Sequence, residues 1–270
     1  ERFNRVKTSL GYFPYYSIKN ILKQNLLNIR DIDLIVSTGE SYPILKSKIK
    51  NTLIHAFGYS PKIILMNHAL AHAYGSYYSS GYDKSLVISI DALGDKVSML
   101  IANGLNKKLN EIYKTGAGQH DESLGSFYAS FTEYLGFRRS EGEFKFMGMA
   151  AYGKKKYNLD KIIKVKNKPF KIIVNPNLTV TKKIPITSTF EPMVNINFLK
   201  KILNDKLSFK TTVEKNFTQN HFDLAHSVQK KYEEILLFIV NKFKGNHTKL
   251  CLSGGCALNC LANSKLSNLF

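Results

Sequence analysis

The chain has little cysteine, and what it has is poorly spaced for metal or disulfide chemistry. Cys251, Cys256 and Cys260 crowd toward one end with no CxxC spacing. A zinc knuckle or disulfide framework is thereby excluded, and small buried apolar side chains are expected at all three positions. Long apolar runs are also missing. No stretch approaches the roughly 18 residues that a bilayer span requires, and the opening ERFNRVK lacks the apolar core of a signal peptide. A cytoplasmic protein without a membrane partner is expected. Arginine is confined to Arg2, Arg5, Arg30, Arg138 and Arg139, so lysine carries the net charge of +19. These lysines are scattered through Asn- and Ile-rich sequence, which makes a poor nucleic-acid footprint, and none is expected as a partner. Their densest cluster, Lys154 to Lys156, follows a turn glycine and reads as an exposed loop. Internal repeats, a P-loop and a Rossmann fingerprint are all absent, which disfavours P-loop kinases and dehydrogenases.

At 270 residues and 44% hydrophobic, the chain can bury a substantial core in one or two lobes. It opens on Glu1 and stops at Phe270 just after a helical pattern, as a piece of a longer protein would. Ile18, Ile21, Leu22, Leu26 and Ile29 give residues 17–30 a helical stripe, DLIVST reads as a short buried strand, residues 44–56 as a helix, and PKIILMN as a strand. This alternation predicts an α/β architecture. From Lys84 the segments SLVISID, VSMLIAN and KLNEIYK predict three antiparallel strands, with Asn103-Gly104 as the turn between the last two. Residues 124–135 predict a helix capped by Ser123 and stopped by Gly136. Residues from about 154 to 213 read as a lysine-rich insert with short strands. A long helix near Phe222, capped by Asn220, carries Ala225, Val228, Tyr232, Ile235, Leu236, Ile239 and Phe243 on one stripe. KLCLSGG followed by ALNCLANSKL predicts strand, glycine turn and helix.

Three side chains stand out chemically. His68 and His72 in NHALAHA lie four apart, on one face if the segment is helical, and Asp91 ends the strand SLVISID. Two imidazoles and a carboxylate suit iron(II), zinc or manganese better than calcium or magnesium. The same histidines would also serve plain packing or capping. In LCLSGGCALNCLAN, a glycine pair at a strand end lets backbone approach a phosphate or ribose, the next helix offers free N–H donors, and Asn259 and Asn263 add amides on one face; a plain tight turn is the other reading. The turn after Asp91, through Gly94, could also approach a phosphate-bearing ligand. In SEGEFKFMGMAAYG, Lys145 beside Gly148 could balance phosphate charge, or be one more exposed lysine. His120 and Asp121 are either catalytic or part of a helix cap.

Taken together, ERFNRVKTSLGYFP, NHALAHA, SIDALGD, ESLGSFYASFTEYLGF, GEFKFMGMAAYG, FDLAHSVQ and LCLSGGCALNCLAN resemble the carbamoyltransferase family of nodulation-protein-U-type enzymes and antibiotic O-carbamoyltransferases. The resemblance implies an actin-like, ribonuclease-H-like ATPase fold in two lobes, incomplete at both ends. Residues 1–83 would be the remainder of the first lobe, and 84–270 the second, C-terminally truncated and carrying the insert. It implies transfer of a carbamoyl group from carbamoyl adenylate, made from carbamoyl phosphate and ATP in a C-terminal domain absent from this chain, to a hydroxyl of a small molecule. His68, His72 and Asp91 would bind Fe(II) or another divalent metal. Gly254, Gly255 and Asn259 would take the adenosine side, with Asp91, Gly94, Lys145 and Gly148 as further nucleotide contacts. A His-Asp loop and a last metal-binding aspartate of that family have no counterpart here, so the fragment is expected to be inactive alone. The alternatives are a tRNA threonylcarbamoyladenosine-type transferase of the same fold and an idle nucleotide-binding interaction domain.

Overall fold

The computed structural model describes Phe3 and residues 13–116, 122–184, 189–204 and 217–270, and contacts divide the chain into units Glu1–His68 and Ala69–Phe270. In the first unit, helix α1 (Tyr15–Gln24) leads through a short 3-10 turn (Ile29–Asp31) to strand β1 (Leu34–Thr38), helix α2 (Ile44–Phe57) and strand β2 (Lys62–Met66). The strands pair in parallel, Leu34 beside Lys62 through Thr38 beside Met66, as a helical crossover requires. Ile29, Leu53 and Ile63 are buried, with Ile18, Leu22, Ile35 and Leu65 packed on them.

The stripe predicted over residues 17–30 is broken. Helix α1 ends at Gln24 because Leu26 turns to φ 54°, and a capping box between Asn28 and Asp31 starts the next turn. Leu26 is consequently 95% exposed and Ile21 also faces outward. Strand β1 is not buried as expected: Ile35 packs inward while Leu34 and Val36 stay exposed.

In the second unit, helix α3 (His68–Ser80) is followed by β3 (Lys84–Gly94), β4 (Val97–Leu105) and β5 (Lys108–Lys114), then helices α4 (Leu124–Tyr134) and α5 (Glu143–Met149). Contacts group α3 with this unit from Ala69 onward. Two hairpins follow, β6 (Ile163–Lys166) with β7 (Lys171–Val174) and β8 (Thr179–Ile184) with β9 (Thr189–Val194), then α6 (Ile196–Ile202). These are the short strands expected of the insert, and Ile163, Ile172, Val174 and Leu199 anchor it in the core. Helix α7 (Gln219–Lys244), strand β10 (Leu250–Ser253) and helix α8 (Cys260–Leu266) complete the unit.

Strand order is β10-β3-β4-β5, with β3, β4 and β5 antiparallel and β10 parallel to β3. Alternate residues of β3 explain its unbroken apolar run. Leu86, Ile88 and Ile90 pack with Phe127 and Phe131 of α4 and Leu224, Val228 and Tyr232 of α7. Val87 faces Ala69, Ala73 and Tyr77 of α3.

The turn between β4 and β5 is not at Asn103-Gly104, which pair with Asn110 and Leu109 inside the ladder. Asn106 and Lys107, at φ 50° and 60°, make it instead. Gly104 answers a packing demand: a Cβ there would lie 2.6 Å from the Tyr77 ring. Ser123 does cap α4, accepting from the Ser126 N–H at 2.9 Å, and Gly136 (φ 83°) follows its end. The cap of α7 is Thr218, in a capping box with His221, while Asn220 accepts from Lys156 Nζ at 2.6 Å. All three cysteines are free, yet only Cys251 is fully buried and Cys260 is exposed, against the expectation for the trio. Among the described residues no helix is long and apolar enough to cross a membrane.

Because the Tyr77 ring is buried and its hydroxyl is fixed on the Asp83 carbonyl at 2.9 Å, it cannot swing aside. Gly104→Ala is therefore expected to destabilise the fold by about 1–3 kcal/mol. Denaturant unfolding against the parent chain reads this directly, and an unchanged midpoint would contradict the packing role.

Candidate metal and nucleotide site

Helix α3 opens on His68, so His68 and His72 share a face, and the buried small residues Ala69 and Ala73 bring it close to the sheet. Ser76 Oγ donates to Ser253 Oγ at 3.3 Å and ties the helix to the end of β10. Strand β3 breaks register with β4 between Ile90 and Gly94, which releases Asp91 from the regular ladder. Its Oδ1 accepts from the Ala92 N–H at 2.7 Å, and Oδ2 lies 3.5 Å from His72 Nε2.

One ligand atom from each of His68, His72 and Asp91 lies within 4.8 Å of the others, and all three residues are partly buried. Bonds of about 2.0–2.2 Å to a first-row divalent ion set neighbouring donors roughly 3–3.5 Å apart. His72 Nε2 and Asp91 Oδ2 already stand 3.5 Å apart, and the two-nitrogen, one-oxygen donor set suits such an ion. The residues fit a metal.

Backbone crowds the same strand end. A Cβ on Gly254 (φ 86°) would stand 2.2 Å from the Ile90 carbonyl oxygen, one on Gly255 would stand 3.0 Å from Asp91 Oδ1, and one on Gly125 in α4 would stand 2.5 Å from the Ala92 nitrogen. Ser123 Oγ donates to the carbonyls of Asp91 and Ala92, and Ser126 Oγ also donates to Ala92, so the bulged carbonyls are satisfied. His68, His72, Asp91 and Gly255 thus converge, with Gly254 one residue before and Gly94 farther along β3. Lys145 and Gly148 lie exposed on α5, whose Met147 Sδ contacts Cys260 Sγ of α8 at 3.9 Å. His120 and Asp121 lie outside the described residues. Desolvation, with the Asp91 charge adding to it, pushes the Cys256 thiol up from its ordinary range, which favours its protonated form.

The sequence reading missed a buried polar cluster behind the glycine turn, made by Tyr128, Gln229, Glu233 and Asn259. The available signal was Gln229, a polar residue set into the apolar stripe of α7 between Val228 and Tyr232. Asn259 is the N-cap of α8, accepting from the Ala262 N–H at 3.0 Å.

Over residues 41–269 the chain matches the family described as "Carbamoyltransferase N-terminus". It belongs to that family. Among its relatives, nodulation protein NolNO of Sinorhizobium fredii is 27% identical over 98% of this chain and 39% of its own length. Protein MJ1051 of Methanocaldococcus jannaschii is 31% identical over 100% of this chain and 48% of its own. Nodulation protein NolO of Bradyrhizobium diazoefficiens is 30% identical over 76% of this chain and 34% of its own. The carbamoyltransferase-family chain described here therefore spans less than half the length of each of these relatives.

Glu233 supplies a test of the cluster. Burial would raise its carboxyl, but hydrogen bonds from Lys265, Gln229 and Lys230 outweigh this and hold it below the ordinary value of 4.5. A depressed native pKa contributes stability that is full above the unfolded value and lost as pH falls through the native one. The stability gap between the parent chain and Glu233→Gln should be widest above pH 4.5 and close on further acidification. Denaturant melts across that range check it; a gap independent of pH would contradict the ionised assignment.

Proposed function

We propose that this chain is the transfer domain of an O-carbamoyltransferase with an actin-like, ribonuclease-H-like fold. It would pass a carbamoyl group from carbamoyl adenylate to a hydroxyl of a small molecule, the adenylate being made from carbamoyl phosphate and ATP by a domain outside this chain. Family membership supports carbamoyl transfer in general. The antiparallel triplet β3–β5, with β10 parallel to β3, supports the fold assignment. One observation carries the finer reading: His68, His72 and Asp91 converge, and the Gly254-Gly255 turn lies against the same carboxylate.

In this reading His68, His72 and Asp91 hold Fe(II) or another divalent metal, which when bound supplies Lewis acidity toward the carbamoyl or phosphate oxygens. Gly254 and Gly255 face the adenosine side, Asn259, buried behind them, supports the turn in place of contacting the nucleotide, and Asp91 and Gly94 line the phosphate approach. Lys145 beside Gly148 supplies positive charge from α5. Transfer joins the acceptor oxygen to the carbamoyl carbon and breaks that carbon's bond to the phosphate oxygen, so AMP leaves and the hydroxyl proton is lost. The protein's share is orientation: the chain would fix the adenylate against Asp91 so that the hydroxyl adds to the face of the carbamoyl carbonyl before the phosphate departs.

Cobalt(II) titration of the chain, followed by its visible absorption, tests the metal set. His68→Ala, His72→Ala and Asp91→Asn should each weaken binding by more than about tenfold, the lower bound for losing even an outer partner of a ligand. Variants that bind as the parent does would remove the metal assignment. In the full-length protein the same changes should abolish carbamoyl transfer while leaving the melting temperature within a few degrees. Tight, steeply salt-dependent tRNA binding would instead favour a tRNA-modifying transferase of the same fold.

A further inference from the structure

The segment FDLAHSVQ, residues 222–229, has no role in the reading above, yet it ends in a side chain with every hydrogen-bonding group engaged. Gln229 is 2% exposed. Its Nε2 donates to Asn259 Oδ1 and to Glu233 Oε1, each at 3.0 Å. Its Oε1 accepts from Asn259 Nδ2 and from Tyr128 Oη, each at 2.9 Å. A primary amide has two N–H donors and two acceptor lone pairs, so all four positions are filled and the amide has a single orientation. Glu233 and Tyr128 agree with it. The carboxylate is held ionised and therefore accepts, and burial keeps the phenol protonated, so that it donates.

Asn259 directly follows the helical turn Gly255–Leu258, none of whose residues is fully buried, and Leu258 is 81% exposed. Of its side chains, Cys256 packs against the main core while Leu258 adds no burial. Polar tethers hold the turn as well: Tyr232 Oη on the Cys256 carbonyl at 2.8 Å, Asn263 Nδ2 on the Ala257 carbonyl at 2.7 Å, and the paired amides of Gln229 and Asn259. At the other end of the turn stands Gly255, against Asp91.

We propose that Gln229 is a positioning residue for the nucleotide: by gripping the Asn259 amide it sets the Gly254-Gly255 turn at its distance from Asp91. The inference rests on the nucleotide assignment made under Proposed function. Gln229 touches neither ligand nor metal in this account and acts through Asn259.

Gln229→Met keeps length and burial while removing both donors and the acceptor. The chain carrying it is compared with the parent in affinity for the ATP analogue AMP-PNP by calorimetry, in cobalt(II) absorption, and in amide hydrogen exchange at residues 254–259. The expected result is an affinity loss of about tenfold or more with faster exchange in the turn and unaltered cobalt binding, since the three ligands sit on α3 and β3. Asn259→Ala should reproduce the loss, and the double variant should be no worse than either single one. Parent-like affinity and exchange in Gln229→Met, or losses that simply add, would overturn the proposal. If Gln229→Met does not fold, Gln229→Glu, which keeps the shape and an acceptor but no donor, decides by the same readouts. If the parent chain does not bind AMP-PNP, the nucleotide reading falls, while exchange in the turn still decides whether Gln229 holds it.

Discussion

The close approach of three backbone segments at the end of β3 is the constraint on which the candidate site depends. Residues 90–92 are met by Gly254 from the β10 turn and by Gly125 from α4 at distances no Cβ could share, and a Cβ on Gly255 would press on the Asp91 carboxylate. Such crowding would be unfavourable around a broken ladder if the freed carbonyls were left without donors. The hydroxyls of Ser123 and Ser126 supply those donors. With its backbone fixed in this way, Asp91 turns its carboxylate toward His72.

Electrostatics divides the neighbourhood into two classes of group. Desolvation and the Asp91 charge both raise the Cys256 thiol, so it is neutral and adds nothing to the anionic charge at the carboxylate. Behind the turn, Glu233 is kept ionised by Lys265 and Lys230 together with the Gln229 amide. Lys265 and Lys230 are both partly exposed, so hydration offsets much of the desolvation that a wholly buried ion pair would suffer. The cluster can therefore be polar without being costly, and it defines the orientation of each side chain in it.

What the sequence made legible follows from how local each signal is. The strands β3 to β5, helix α4 with its Ser123 cap, and the convergence of His68, His72 and Asp91 were all readable, because strand period, helix face and capping chemistry act within a few residues. Gly104 was misread as a turn residue because its reason is Tyr77, far off in sequence but in contact through the sheet. Leu26 was misread because the helical pattern runs on past a backbone break that Asn28 and Asp31 impose. The Thr218 cap lost to Asn220 by two positions, since both residue types cap well and only the structure shows Lys156 engaging Asn220. Gln229 was invisible for a different reason: its three side-chain partners are Tyr128, Glu233 and Asn259, and two of them come from distant segments.

Helix α7 joins what the sequence keeps apart. Near its start, Gly153 packs so tightly that a Cβ would lie 1.9 Å from the Phe222 carbonyl oxygen. Asp223 Oδ1 takes the Lys154 N–H at 2.9 Å, and Ser227 Oγ takes those of Lys156 and Tyr157 at 3.0 and 3.1 Å. His226 Nδ1 lies 2.8 Å from the Ala150 carbonyl oxygen and donates to it. The chain leaving α5 is therefore strapped along the first two turns of α7, and Gln229, on the next turn, reaches the cap of α8. A helix resists bending over such a short span, so the Lys145-bearing segment and the glycine turn share one rigid support. The lysine-rich loop at 154–156, read from the sequence as exposed surface, is thereby fixed through its backbone, while Lys154 and Lys155 stay exposed and Lys156 Nζ reaches Asn220.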